Sequence, residues 1–306
     1  MMAAPTVARN ATATLVDTRR AGPYQVLTIR APGIVAQAQP GQFVSIGVDA
    51  PGTLVRRPFA IAGVDPVRDT FDVVVASVGL GSSWLAAQPP SRALDVVGPL
   101  GRGFALPAAP VRCLLVGGGY GTAALEWLGE RLRCDGHQVE LLSGAATESA
   151  LYPVARVAGG GGFTLVETTE DGSRGRTGLV TAALVECLER HPRAKIFACG
   201  PMPMLDAVAD IARRHGCDCQ VAVEEHMGCS VGVCMTCVVP TVEGEGERQR
   251  ADGWGSEGEG ERQRAGGWGP EGERGPTGYV RACIEGPVLN AERVDWQSVR
   301  RRASRG

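Results

Sequence analysis

No apolar run in this 306-residue chain approaches the roughly 20 residues a membrane-spanning helix needs. The opening stretch MMAAPTVARNATATLVDTRR holds no apolar core long enough for a secretory signal. A dominant charge is missing too. The 31 Lys and Arg nearly balance 33 Asp and Glu, leaving −2. That balance gives no reason to expect nucleic acid or an anionic membrane as partner. The histidines His137, His191, His215 and His226 form no H-x3–5-H pair, and there is no second C-x2-C. The usual spacing of a structural zinc site is therefore absent. Ten cysteines are too thinly spread for a disulfide scaffold, and reduced thiols in the cytoplasm are the expectation.

What is present is a set of four cysteines. Cys229, Cys234 and Cys237 stand as C-x4-C-x2-C in EEHMGCSVGVCMTCVVP, and Cys283 follows far downstream. That spacing is the plant-type ligand pattern of a [2Fe–2S] cluster. A tight loop supplies several thiolates only if its backbone stays near the inorganic core, and Gly228 and Gly232 allow that approach. Zinc and inert buried thiols are the competing readings, and Cys217 or Cys219 are next in line should Cys283 not serve. Cys113, Cys134, Cys187, Cys199, Cys217 and Cys219 read by default as ordinary buried residues.

The rest of the chain divides by pattern. Six short runs, ATLVDT, YQVLTIR, QFVSIGV, FAIAGV, FDVVVASV and ALDVVGPL, are punctuated by Pro and Gly. They indicate a small β-barrel or sandwich. From residue 111, strands alternate with helical stretches: VRCLLVGG, TAALEWLGERLR, QVELLSG, FTLVETT, a helix near 178–190, AKIFACG, PMPMLDAVADIARRHG and QVAVEE. Such alternation indicates a parallel sheet. The expected organisation is multidomain: an N-terminal antiparallel β-barrel over 1–108, an α/β nucleotide-binding domain over 109–222 and a small [2Fe–2S] module over 223–306.

One stretch fits none of these. EGEGERQRADGWGS at 243–256 is followed by EGEGERQRAGGWGP at 257–270, with a partial third copy, EGERG. It is too glycine-rich to bury a core, and 243–275 reads as a disordered insertion from tandem duplication. It leaves 45 residues between Cys237 and Cys283. Stretching a closed loop from about 14 to 45 residues costs only about 1 kcal/mol. The insertion also falls between two possible hairpin strands, CMTCVVPTV and GYVRACIEGPVL.

Two further features suggest cofactors. LLVGGGYGTAAL puts Gly117, Gly118, Gly119 and Gly121 after a strand and before a helix, where backbone N–H groups and a helix N-terminus can meet a phosphate. The spacing is not G-x-G-x-x-G, which points away from the ordinary dinucleotide-binding dehydrogenases. A nicotinamide exchanges a hydride, whereas a [2Fe–2S] cluster exchanges single electrons. A flavin couples the two, so the β domain is expected to hold one. Arg57-Pro58-Phe59-Ala60 offers a cation for a pyrophosphate and an aromatic for a ring face. Gly79-Leu80-Gly81-Ser82 offers a glycine turn. A plain strand end and a plain turn remain the alternatives.

In this order, RRPFAI, GPLGRGF, GGGYGTAAL, TTEDGSRGRTGLV, ACGPMPML, the cysteine loop and CIEGPVL resemble the ferredoxin reductase family with a C-terminal [2Fe–2S] module. More narrowly, they are similar to the electron-transfer subunits of two-subunit, NAD-dependent dihydroorotate dehydrogenases. The resemblance implies a separate FMN-containing catalytic subunit in a heterotetramer of two plus two. Electrons would run through the cluster and FAD to NAD⁺ in pyrimidine biosynthesis. It implies FAD contacts at Arg57 to Ala60, at Val74, Val75 and Ala76, and at Gly81 and Ser82. The nicotinamide side would be lined by Gly118, Gly119, Gly121, Thr122, Cys199, Gly200 and Pro201, with Cys229, Cys234, Cys237 and Cys283 as cluster ligands. No acid–base catalytic residue is implied, because the substrate's C–H bonds break in the other subunit. Glu167 and Glu170 are candidate ribose partners by position. Four positions depart from the pattern. Ala60 stands for Ser or Thr, Ala76 for Arg, Ser82 for Thr, and Ser230 for Gly after the first ligand. The first two remove contacts to FAD, and Ser230 is expected to tighten the loop. The competing readings are a related reductase subunit serving a hydrogenase, a sulfide-linked or an oxygenase partner, and a non-enzymatic redox sensor.

Overall fold

The computed structural model describes residues 8–154, 163–242 and 278–303. The repeat at 243–275 lies outside the described residues. β1 (Arg9–Ala21), β2 (Tyr24–Arg30), β3 (Phe43–Ile46), β4 (Arg57–Asp65), β5 (Thr70–Val75) and β6 (Ala93–Leu100) correspond to the six runs read from the sequence. They close into an antiparallel barrel in the order β1-β2-β5-β4-β3-β6. Alternation of side chains sends Leu27, Ile29, Val44, Ile46, Ile61, Phe71 and Val73 inward to fill it.

Two short helices accompany the barrel, α1 (Pro32–Val35) and α2 (Leu80–Ala86). The glycine turn at Gly79 is the entry to α2. The Ser82 hydroxyl accepts from the N–H groups of Val78 and Gly79 at 3.0 and 3.1 Å. That side chain therefore ties the entry turn to the first turn of the helix.

The second part is a sheet of seven strands. β7 (Arg112–Gly118), β8 (Gln138–Ala145), β9 (Phe163–Thr169), β10 (Arg176–Thr177), β11 (Lys195–Cys199) and β12 (Cys219–Ala222) pair in parallel. Helices α3 (Gly121–Cys134), α4 (Val180–Arg190) and α5 (Met202–His215) make the crossovers. The order is β10-β9-β8-β7-β11-β12, so the winding reverses between β7 and β11.

The third part returns to the second. β13 (Val238–Thr241) and β14 (Gly278–Arg281) form an antiparallel ribbon in which Thr241 faces Gly278. The two ends of the repeat-bearing segment are thus neighbours. β15 (Val288–Asn290) then adds an antiparallel edge strand beside β12, and α6 (Trp296–Ala303) follows. A three-residue strand carries no readable periodicity, so the sequence alone does not reveal this return.

One apolar core joins Leu114, Val116 and Ile196 of the sheet to Val239, Ala282, Cys237 and Cys283 of the ribbon, and reaches Phe43 and Leu100 on the outside of the barrel. None of the helices described is long and apolar enough to cross a membrane.

Candidate redox site

The cysteine loop follows β12. Three residues in it hold left-handed backbone, Ser230 (φ 62°), Gly232 (φ 79°) and Met235 (φ 60°). This winding turns N–H groups toward sulfur. Cys229 Sγ accepts from Val233 N–H at 3.2 Å and Cys234 N–H at 3.3 Å, and Cys234 Sγ accepts from Cys229 N–H at 3.4 Å. At Gly232 a side chain would also strike Ile284, with a Cβ only 2.7 Å from its Cγ1. Hydrogen bonds, from Thr236 first, bring the Cys234 thiol down to about 6. That shift favours the thiolate, the form that binds metal.

Cys283 reaches the site through the ribbon. Val238 pairs with Arg281, and Ala282 N–H donates to the Cys237 carbonyl at 2.8 Å. The next residue, Cys283, then lies with its Sγ 3.2 Å from Cys237 Sγ. Both are free and buried, and burial pushes the Cys283 thiol up to about 12. Among the described residues, no three His, Cys, Asp or Glu side chains are spaced around one ion. The thiols instead form two pairs, Cys229 with Cys234 and Cys237 with Cys283. A [2Fe–2S] cluster takes two ligands on each of its two irons, so the donor set fits that group. Cys217 donates to the Pro192 carbonyl at 3.4 Å, and Cys219 is buried in β12. Both belong to the sheet's core.

A cleft of about 360 Å³ lies where the three parts meet. Arg57, Pro58, Phe59 and Ala60 of β4 line it, with Val74 and Ala76 from the end of β5 and Gly81 and Ser82 from α2. Gly81 has a packing reason: a Cβ there would come within 2.7 Å of Arg57 Nε. The guanidinium lies across α2's first turn and donates to the Val55 carbonyl at 2.6 Å. A cation and a helix N-terminus thus face the same side, a combination that suits a pyrophosphate. Val75 alternates inward and fills the barrel core.

The α/β sheet supplies the opposite wall at the reversal between β7 and β11, where ligands of such sheets bind. Gly121, Cys199 and Gly200 line the cleft. Gly118, Gly119, Thr122 and Pro201 do not line it: Gly118 and Thr122 are buried, Gly119 is half-buried and Pro201 is exposed. The buried Thr122 hydroxyl sits 3.2 Å from Ser143 Oγ, and Gly119 N–H donates to the Gly144 carbonyl at 2.9 Å.

Sequence reasoning passed over Tyr120 and Glu224. Both line the cleft, and Tyr120 OH donates to Glu224 Oε1. Burial, then that carboxylate, pushes the Tyr120 phenol far above its ordinary range. Burial, then Glu224, pushes the Cys199 thiol up to about 12. Glu225 and Met227 ahead of the cysteine loop, with Pro287 after Cys283, close the cleft's third side. No local motif marks these residues; only the approach of β12 to the glycine turn unites them.

In TTEDGSRG, Arg174 Nε donates to Glu167 Oε2 at 2.9 Å, which engages Glu167. Asp171 accepts from Ser173 N–H and Oγ at 3.0 and 2.6 Å. Glu170 is exposed. The buried Thr168 hydroxyl, at the C-terminal end of β9, has no hydrogen-bond partner among the described residues.

Comparison with profiles of protein families finds no match. Curated proteins do match. The chain is 36% identical over 275 residues to the electron transfer subunit of dihydroorotate dehydrogenase B (NAD(+)) of Geobacillus thermodenitrificans, covering 88% of this chain and 91% of the relative. The subunit of the same name from Bacillus velezensis is 32% identical over 266 residues, covering 84% and 87%. Among solved structures, an NADH-dependent reduced ferredoxin–NADP oxidoreductase, studied for flavin-based electron bifurcation, superposes with a TM-score of 0.74 at 26% identity over 97% of this chain and 94% of the other. The ferredoxin reductase of carbazole 1,9a-dioxygenase shares the fold at a TM-score of 0.62 and 21% identity, over 70% and 68%.

Proposed function

Since the chain belongs to the family of electron transfer subunits of dihydroorotate dehydrogenase B, we propose that it carries electrons from a dihydroorotate-oxidising catalytic subunit to NAD⁺, in a complex of two subunits of each kind. FAD and a [2Fe–2S] cluster, when bound, supply the exchange between single electrons and a hydride. The observation that carries this reading is the cleft, walled by the barrel, the glycine turn and the ends of the cysteine segment together.

In this reading Arg57 and the first turn of α2 hold the pyrophosphate of FAD, and Phe59 covers part of its ring system. Val74 and Ala76 border it through the end of β5, and Ser82 keeps α2 capped. Gly121, Cys199 and Gly200 leave room for the nicotinamide on the opposite wall. With its pKa pushed up to about 12, Cys199 stays a neutral thiol at working pH. Tyr120 likewise keeps its proton and holds Glu224 in place. Cys229, Cys234, Cys237 and Cys283 hold the cluster beside Met227 and Pro287. The free cysteines suit a reducing cytoplasm.

Co-expression with a catalytic subunit of this enzyme class tests the reading. The two chains are expected to purify together and to reduce NAD⁺ with dihydroorotate as sole donor. A stable complex that reduces ferricyanide but not NAD⁺ would sink it. A second expectation concerns Arg57→Ala. Losing a charge-assisted contact worth about 1.5–3 kcal/mol weakens FAD binding about 10–100-fold. A fluorescence titration of the flavin-stripped protein reads this, and an unchanged affinity would remove Arg57 from the site.

A further inference from the structure

β3 has two faces. Val44 and Ile46 point into the barrel core. Phe43 and Ser45 point outward, as alternation requires, yet both are buried, Ser45 to 1% exposure. Phe43 is covered by the core it shares with Cys237 and Cys283. A serine hydroxyl buried on such a face needs a partner. It donates to Ser230 Oγ at 3.0 Å. Ser230 is itself 1% exposed and directly follows Cys229.

Ser230 also sits where a serine is costly. Its φ of 62° lies in the left-handed region, which glycine adopts freely and a residue with a Cβ does not. A glycine there would relieve the strain but provide no hydroxyl. On the barrel side, Ser45 pairs across the ladder with Pro58, beside Arg57 and Phe59. One hydrogen bond therefore connects the residue next to a cluster ligand with the strand next to the flavin contacts.

We propose that Ser45 and Ser230 are a positioning pair that seats the cysteine loop against the flavin-bearing strands and sets the rate of the electron step between cluster and flavin. The proposal rests on the function proposed above. Each passage removes one electron from the cluster, one iron going from ferrous to ferric. Two passages and one proton supply the hydride that NAD⁺ accepts.

The experiment compares Ser45→Ala, Ser230→Ala, Ser230→Gly and the double variant Ser45→Ala/Ser230→Ala. Iron and FAD contents are measured first. NADH is then mixed in a stopped-flow instrument, and flavin reduction and cluster bleaching are followed at separate wavelengths. Flavin reduction is expected to stay near the wild-type rate. Cluster bleaching is expected to slow roughly tenfold in each single variant, because a broken buried hydrogen bond depopulates the seated loop by about that factor. Release of iron to a chelator should speed up in parallel. The double variant should be no slower than the singles, as expected of two residues acting through one contact. Ser230→Gly keeps the test decisive if the alanine variants fold poorly, because glycine accepts the φ. Bleaching at the wild-type rate in a fully iron-loaded Ser45→Ala protein overturns the proposal. Wild-type protein that holds FAD but no cluster overturns the functional reading, and the pair with it.

Discussion

Replacing Cys283 by serine is expected to strip the iron–sulfur absorbance from the purified protein while leaving the flavin absorbance in place. Cys283 is fully buried and its sulfur lies 3.2 Å from that of Cys237. A serine hydroxyl there is a harder oxygen donor, and soft sulfur ligands are what hold iron–sulfur clusters. The two cysteines next in line, Cys217 and Cys219, are engaged elsewhere. Cys217 is bonded to the Pro192 carbonyl, and Cys219 packs inside the sheet. The expected functional result is a split. NADH should still reduce ferricyanide through the flavin at near the wild-type rate, whereas dihydroorotate-driven NAD⁺ reduction in the complex should fall to background. An intact cluster in the Cys283→Ser protein would show that the fourth ligand lies elsewhere.

The second large effect is expected at Gly121, where the first turn of α3 meets the end of β11. A Cβ there would lie 2.5 Å from the Cys199 carbonyl oxygen, 2.8 Å from its carbon and 2.9 Å from the Gly200 nitrogen. All three are backbone atoms, so no rotamer change relieves the clash. Either the glycine turn or the end of β11 must move, at a cost of about 1–3 kcal/mol. Both segments line the cleft, on the wall proposed above for the nicotinamide. Gly121→Ala is therefore expected to slow flavin reduction by NADH at least ~10-fold, with FAD and iron contents unchanged. Rapid-mixing kinetics over a range of NADH concentrations would show it. A wild-type rate and affinity would mean that nicotinamide does not approach by this wall.

Much of the local structure was legible in the residues. Six alternating runs became the six barrel strands, because which face a strand buries depends on neighbours two positions apart. LLVGGGYG became a strand, a tight turn and a helix for equally local reasons. The cysteine spacing named the cluster before any contact was known. β15 and α6 were not legible. One is three residues long, and the other is a short helix, WQSVRRRA, with three consecutive arginines and too few apolar positions to mark a face. The turn at Gly79 was seen, but not the helix it opens. That helix depends on Ser82 reaching back to two N–H groups.

The site itself was only half legible. Arg57, Phe59, Gly121 and Cys199 could be picked out one at a time, yet Tyr120 and Glu224, 104 residues apart, meet only because β12 ends beside the turn after β7. Ser230 stood out in the sequence as a departure without a cause. The structure supplies a backbone that glycine would suit and a buried partner, Ser45, 185 residues away.

The sequence by itself determined which chemistry this chain can hold: four thiols at cluster spacing, glycines where phosphate can approach, and a cation beside an aromatic at a strand end. Those are properties of residue type and short spacing, which survive without knowledge of the fold. Only the tertiary structure decided that Cys283 stands beside Cys237, that one cleft collects all three parts, and that the cysteine loop is tied to the barrel beside that cleft. Such contacts depend on how distant segments close on one another. That is fixed by the packing of a shared core and not by any local pattern.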